Sequence, residues 1–136
     1  MANIFSEDNT VGENHPLASL LRLLQGDFRS RYGWDFHIAS RIPQILRDIG
    51  FVNIEERHNY IPIGRWHPEA REREMGMFNR IIWMEWSTAM LANREAIGLG
   101  EDEAARFTQE LEDAFDDASI HAQNDYIECW AQKPYP

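Results

Sequence analysis

Cysteine occurs once, at Cys129, so this 136-residue chain can close no disulfide within itself, and a reducing, cytoplasmic setting is the natural expectation. Lysine also occurs once, at Lys133, against twelve arginines, a bias that suits planar bidentate contacts or simply reflects surface composition. No apolar run approaches the roughly 20 residues needed to cross a bilayer, so no membrane partner is expected. Residues 1–14 are polar and acidic, without the basic-then-apolar order of a signal peptide. The five histidines, His15, His37, His58, His67 and His121, include no H-x-x-x-H pair, and Cys129 has no ligand cluster around it; no metal is expected. Positive charge is scarce as well. The net charge is −10, a field that repels a phosphate backbone, so nucleic acid is not an expected partner.

What remains is enough for one modest core. Hydrophobic residues make up 43% of the chain and aromatics 12%, which excludes a chain disordered by composition. Residues 1–14 read as a flexible N-terminal arm and residues 15–136 as a single domain. From His15 to the break at Gly33, Leu17, Leu20, Leu21, Leu24 and Phe28 recur at three- and four-residue spacing and predict a helix. A second helix is expected over residues 40–49, with Pro43 in its first turn, Gly50 beyond its end, and Ile42, Ile45, Leu46 and Ile49 on its buried face. Residues 51–63 alternate as a strand whose even positions, Val52, Ile54, Glu56, His58 and Tyr60, are expected to face inward.

A long helix, residues 69–96, follows Pro68; Met75, Met77, Phe78, Ile81, Ile82, Trp83, Met84, Trp86 and Met90 make it apolar over much of its circumference. Such a helix is clasped between elements, or faces a ligand or a second subunit. Residues 101–117 predict an amphipathic helix with an acidic first turn, lined inside by Ala104, Phe107, Leu111, Ala114 and Phe115. Residues 120–132 predict a second strand, and 133–136 a tail. The fold class is therefore α+β and mainly helical: four helices with an antiparallel strand pair.

Several short segments in this order carry a likeness to known sequences. Ser6-Glu7-Asp8-Asn9-Thr10 resembles an "SDDGT" stretch and Asp48-Ile49-Gly50-Phe51-Val52 an "EAGFV" helix-to-strand junction. Tyr60-Ile61-Pro62-Ile63-Gly64-Arg65-Trp66 resembles "KLPIGPW", and Glu72-Arg73-Glu74-Met75-Gly76 resembles "LKEIG". Ser119-Ile120-His121-Ala122, with Gln132-Lys133-Pro134, resembles "SIHAY…GRKP". These are segments of the class I S-adenosylmethionine (SAM)-dependent methyltransferases common in fungal secondary metabolism, the LaeA-like regulators among them. The likeness runs from about Ser6 to Pro134 and matches the C-terminal part of those enzymes. It implies that the two strands are the closing antiparallel pair of a larger sheet, and that the long helix covers the substrate.

One departure decides the expected function. In that family the donor sits at a glycine-rich turn following the first strand. This sequence has no such run; Gly98-Leu99-Gly100 follows a helix and precedes three acidic residues. The domain is thus read as truncated, with no cofactor unless a partner chain supplies SAM. Two strands with an open edge and a wide apolar helix predict a dimer or a hetero-oligomer with a methyltransferase-like chain.

Three functions fit these residues. The first is a non-methylating catalyst of small-molecule chemistry, a cyclase, isomerase or pericyclic enzyme of fungal natural-product biosynthesis acting on an apolar substrate. The others are an accessory or regulatory subunit completing a separate methyltransferase, and an inert remnant. The leaning is to the enzyme, though not a self-sufficient methyltransferase. Its candidate catalytic residues are His58, Glu85 and His121, each with a plain structural alternative: a half-buried strand histidine, a solvated carboxylate, and a cation beside the negative end of a helix. Candidate substrate contacts are Tyr60, Phe78, Asn79, Trp83, Trp86 and Met90, which equally suit a core or an interface. Glu85 and Asn79 matter only if they face the apolar side.

Overall fold

The computed structural model describes residues 4–93 and 97–135; the side chains of Leu24, Asp27 and Phe28, Ala96 at the expected end of the long helix, and residues 1–3 and 136 lie outside that description. Among the described residues seven elements follow one another: β1 (Ile4–Phe5), α1 (Pro16–Tyr32), α2 (Ile38–Asp48), β2 (Val52–Pro62), α3 (Ala70–Ala92), α4 (Glu101–Asp116) and β3 (Gln123–Gln132). This is an α+β, mostly helical fold with a small antiparallel sheet.

The sheet has the order β1-β3-β2, all antiparallel. Its third strand corrects the expectation of a strand pair and of a loose arm. Ile4 and Phe5 pair with Asn124 and Gln123, and Ile4 is buried in the core. The following loop is tied down as well: the Ser6 hydroxyl accepts from the Val11 amide, and the Thr10 hydroxyl accepts from the amide of His121. β2 and β3 pair over most of their length, from Val52↔Gln132 to Pro62↔Gln123, with a bulge between Val52 and Glu55 where Asn53 takes a positive φ of 51°. β1 reaches only the first two residues of β3. Among the described residues no strand lies on that side of β3 from Asp125 to Gln132.

The core gathers at one end of the sheet. Leu17, Leu20 and Leu21 of α1 meet Ala104, Leu111 and Phe115 of α4, and α3 adds Trp83 and Leu91 along a line that also holds Gly76 and Ser87. The inner face of α4 is the one its periodicity requires. α1 begins at Pro16 behind His15, whose Nδ1 accepts from the Leu17 amide, and ends at Gly33 in the left-handed region (φ 68°). α3 docks through two glycines. The Gly64 amide donates to the Gly76 carbonyl at 3.0 Å, and a Cβ on Gly76 would lie 2.2 Å from the Gly64 oxygen.

Two faces differ from those expected. In α2 the half-buried and buried residues are Ala39, Pro43 and Leu46, whereas Ile38, Ile42, Ile45 and Ile49 form an exposed stripe on the side away from the sheet. In β2 the even positions do not turn inward as a set. His58 and Tyr60 are exposed, while Asn59 and Ile61 are the half-buried pair near α3. The bulge and the short reach of α3 along the sheet account for this, since the strand extends beyond the helix that would cover it.

Candidate functional site

A cavity of about 490 Å³ is lined by Ala39 of α2, Asn79, Ile82, Trp83 and Trp86 of α3, Ile61 of β2, and Asn124, Asp125, Tyr126 and Ile127 of β3. Four consecutive residues of one strand point alternately to opposite faces of the sheet. A cavity over one face meets the side chains of alternate residues and the backbone of those between them. By register Ile61 lies opposite Asn124 and Asn59 opposite Tyr126, so Ile61, Asn124 and Tyr126 share one face of the sheet, and the cavity lies over that face with α2 and α3 as its walls.

Trp83 is held by the core, and its ring stands edge-on to Trp86 at 5.4 Å and 86°; Phe36 meets Trp86 from the other side at 6.3 Å. At the polar end, Asn79 Nδ2 donates to the Pro62 carbonyl at 2.8 Å and to Asn124 Oδ1 at 2.6 Å, and the Trp83 indole N–H also points at Asn124 Oδ1 (3.4 Å). These amides are largely engaged with one another, binding α3 to the ends of β2 and β3. Asp125 differs: its Oδ2 pairs with His58 Nδ1 at 2.7 Å, while its Oδ1 is buried without a partner among the described residues.

The sequence candidates divide accordingly. Asn79, Trp83 and Trp86 line the cavity. Met90 packs against the core cluster, and Phe78 is 62% exposed. Tyr60 is 52% exposed and meets Phe5 edge-on at 5.6 Å, away from the cavity. Glu85 faces solvent, which by the criterion above removes it as a site residue. His58 reaches the cavity only through Asp125. His121 stands elsewhere, in a smaller cavity with Glu7, Asp8, Trp66 and Gln123. The structure does not bring His58, Glu85 and His121 together.

Sequence reasoning missed the β3 segment Asn124, Asp125, Tyr126 and Ile127. A signal was present: Gln123-Asn124-Asp125 puts three polar residues in a row inside a strand, which breaks the alternation a half-buried strand keeps. Among the described residues no three His, Cys, Asp or Glu side chains gather as metal ligands, and no helix is long and apolar enough to cross a membrane.

This is a methyltransferase-related α+β domain, distantly homologous to a fungal methyltransferase family. The chain is 26% identical over 136 residues to Methyltransferase pytC of Aspergillus terreus, and to the protein of that name from strain NIH 2624 / FGSC A1156. The alignment covers 97% of this chain and 41% of either relative, so the chain spans well under half the length of the curated proteins it matches. No family model matches the chain, and no solved structure matches it.

Proposed function

We propose that this chain is the substrate-side part of a methyltransferase-like assembly, an accessory subunit completed by a donor-binding chain. It supplies α3 as a cover and β2–β3 as the closing strands, and the partner adds a strand to β3 and brings SAM with it. The observation that carries the reading is the edge of β3, which is unpaired from Asp125 to Gln132 among the described residues. An unpaired strand edge presents a row of free backbone N–H and C=O groups, which is what an incoming strand requires. The isoleucine stripe of α2 and exposed Phe78, Ile81 and Ile82 of α3 add apolar surface for the same partner, or for a second copy of the chain.

The test has two arms. Calorimetry with SAM on the purified chain is expected to show no binding; saturable binding at about micromolar affinity would refute the reading. Amide hydrogen exchange from Tyr126 to Gln132 is expected to be fast in the chain alone. It should slow when the chain is co-expressed with the portion of the Aspergillus terreus relative that it does not cover.

A second reading, a donor-free cyclase or isomerase, is favoured by one feature: a buried Asp125 Oδ1 without a partner among the described residues, on a residue that also lines the apolar cavity, with His58 on the other carboxylate oxygen. A carboxylate so placed can take a proton from a bound apolar substrate. That reading requires Asp125→Asn to abolish turnover with stability intact, whereas the subunit reading requires the same variant to leave assembly unchanged.

A further inference from the structure

The smaller cavity, about 160 Å³, is built from side chains that the large cavity does not use: Glu7, Asp8, Trp66, His121 and Gln123. Asp8, Trp66, His121 and Gln123 are each fixed by bonds of their own. Asp8 Oδ1 accepts from the Thr10 amide at 3.1 Å and from the Thr10 hydroxyl at 2.8 Å. These bonds, and then His121, hold the Asp8 carboxyl below its ordinary pKa despite its exposure. Asp8 Oδ2 pairs with His121 Nδ1 at 2.5 Å. The Trp66 indole N–H donates to the Ala122 carbonyl at 2.8 Å, and its ring lies against the His121 ring at 4.8 Å and 30°. Gln123 is gripped on both sides by backbone pairing, to Phe5 and to Pro62.

Two consequences follow from elementary hydrogen bonding. An ionised carboxylate only accepts, so Nδ1 donates to Asp8, and in the neutral tautomer that this bond selects Nε2 is an acceptor. Gln123 is only 7% exposed, and its Nε2 has no partner among the described residues. A buried donor without an acceptor is rare in native interiors and marks a place where something else binds. One wall of the cavity thus offers an acceptor, another a donor, and Trp66 a flat apolar side. The carboxylates of Glu7 and Asp8 disfavour an anion there.

We propose that Asp8, Trp66, His121 and Gln123 form a second ligand site, for a small neutral hydroxy-carbonyl compound. Its hydroxyl donates to His121 Nε2 and its carbonyl oxygen accepts from Gln123 Nε2. Asp8 is the positioning residue that sets the histidine tautomer. The site stands independently of the strand-edge reading.

Salicylamide is a suitable probe and 2-methoxybenzamide its control, since the methyl ether keeps the carbonyl and loses the hydroxyl hydrogen. NMR of the full chain is expected to show saturable salicylamide shifts confined to the Gln123 side-chain amide, the His121 ring and the Trp66 indole. The ether should bind about fivefold or more weakly, and Gln123→Met should weaken salicylamide about tenfold, the loss of one good hydrogen bond. Absence of saturable shifts up to about 20 mM, a concentration that detects dissociation constants in the millimolar range, overturns the proposal and leaves ordered water as the partner of Gln123. Equal affinity for the two probes overturns it also. Should Gln123→Met not fold, Asp8→Asn replaces it. That exposed substitution releases the tautomer and should erase most of the preference for salicylamide over the ether; an unchanged preference overturns the site.

Discussion

Replacing Gly76 with alanine reverses the usual sign of a helix substitution. In a helix interior alanine is favoured over glycine by about 1 kcal/mol. Gly76 lies inside α3, yet a Cβ there would sit 2.2 Å from the Gly64 carbonyl oxygen and 3.3 Å from Pro62 Cβ. The atom in the way is backbone, held by the hydrogen bond from the Gly64 amide to the Gly76 carbonyl, so no side chain can swing aside. Relief requires α3 to move off the end of β2. Forcing a methyl into such a contact costs about 3 kcal/mol, at the upper end of overpacking effects. Set against the helix preference, the net loss is about 2 kcal/mol, or about 7 °C in Tm for a chain of this size. Gly26 in α1 is the internal control, because a Cβ there meets nothing within 4 Å. Gly26→Ala should stabilise by about 0.5–1 kcal/mol. Urea denaturation followed by circular dichroism measures both. A Gly76→Ala protein as stable as its parent would show that α3 does not dock through this contact.

Two further perturbations probe the frame of the molecule. Burial lowers the His15 pKa, with the Asp117 carboxylate opposing, and the cap on α1 needs an unprotonated Nδ1 to receive the Leu17 amide. The unfolded chain therefore binds this proton more readily, so the contribution of His15 is complete above about pH 6.5 and is lost as pH falls toward the lower folded value. His15→Asn, which caps without titrating, should flatten the fall in urea midpoint between about pH 7 and pH 5; parallel curves for the two proteins would contradict this. Asn124→Leu removes the oxygen shared by Asn79 and Trp83 and should cost about 1–3 kcal/mol through the donors left behind, so an unchanged melting temperature would mean that these contacts do not hold α3 to the sheet.

The helices and the two long strands were legible because each has a period that its residues repeat, and α4 is the plainest case: Ala104, Leu111 and Phe115 turned inward as their spacing required. β1 was not legible, since two apolar residues in a polar stretch carry no period and become a strand only because β3 is there to pair with them. The face of α2 was misread for a different reason. Periodicity identifies the side of a helix that favours burial, and Ile42, Ile45 and Ile49 have that character, but nothing among the described residues covers them. The site was half legible. Trp83 and Trp86 announced themselves by size, whereas Asn124 to Ile127 matter only because the fold brings that stretch of β3 beside α2 and α3, a property of topology that no single segment encodes.

Arg57 of β2 rests its guanidinium 5.7 Å from the centre of the Trp130 ring of β3, toward the end of the sheet opposite Pro62 and Gln123. An outward-facing cation over an aromatic is a common way for an open edge to be made unattractive to stray chains, because a newcomer must first strip water from the charge. The safeguard covers only that end. Around Tyr126 and Ile127 the same strand is bare, so the molecule is discriminating at one tip and permissive at the other, and the direction from which any companion approaches is already written into the sheet.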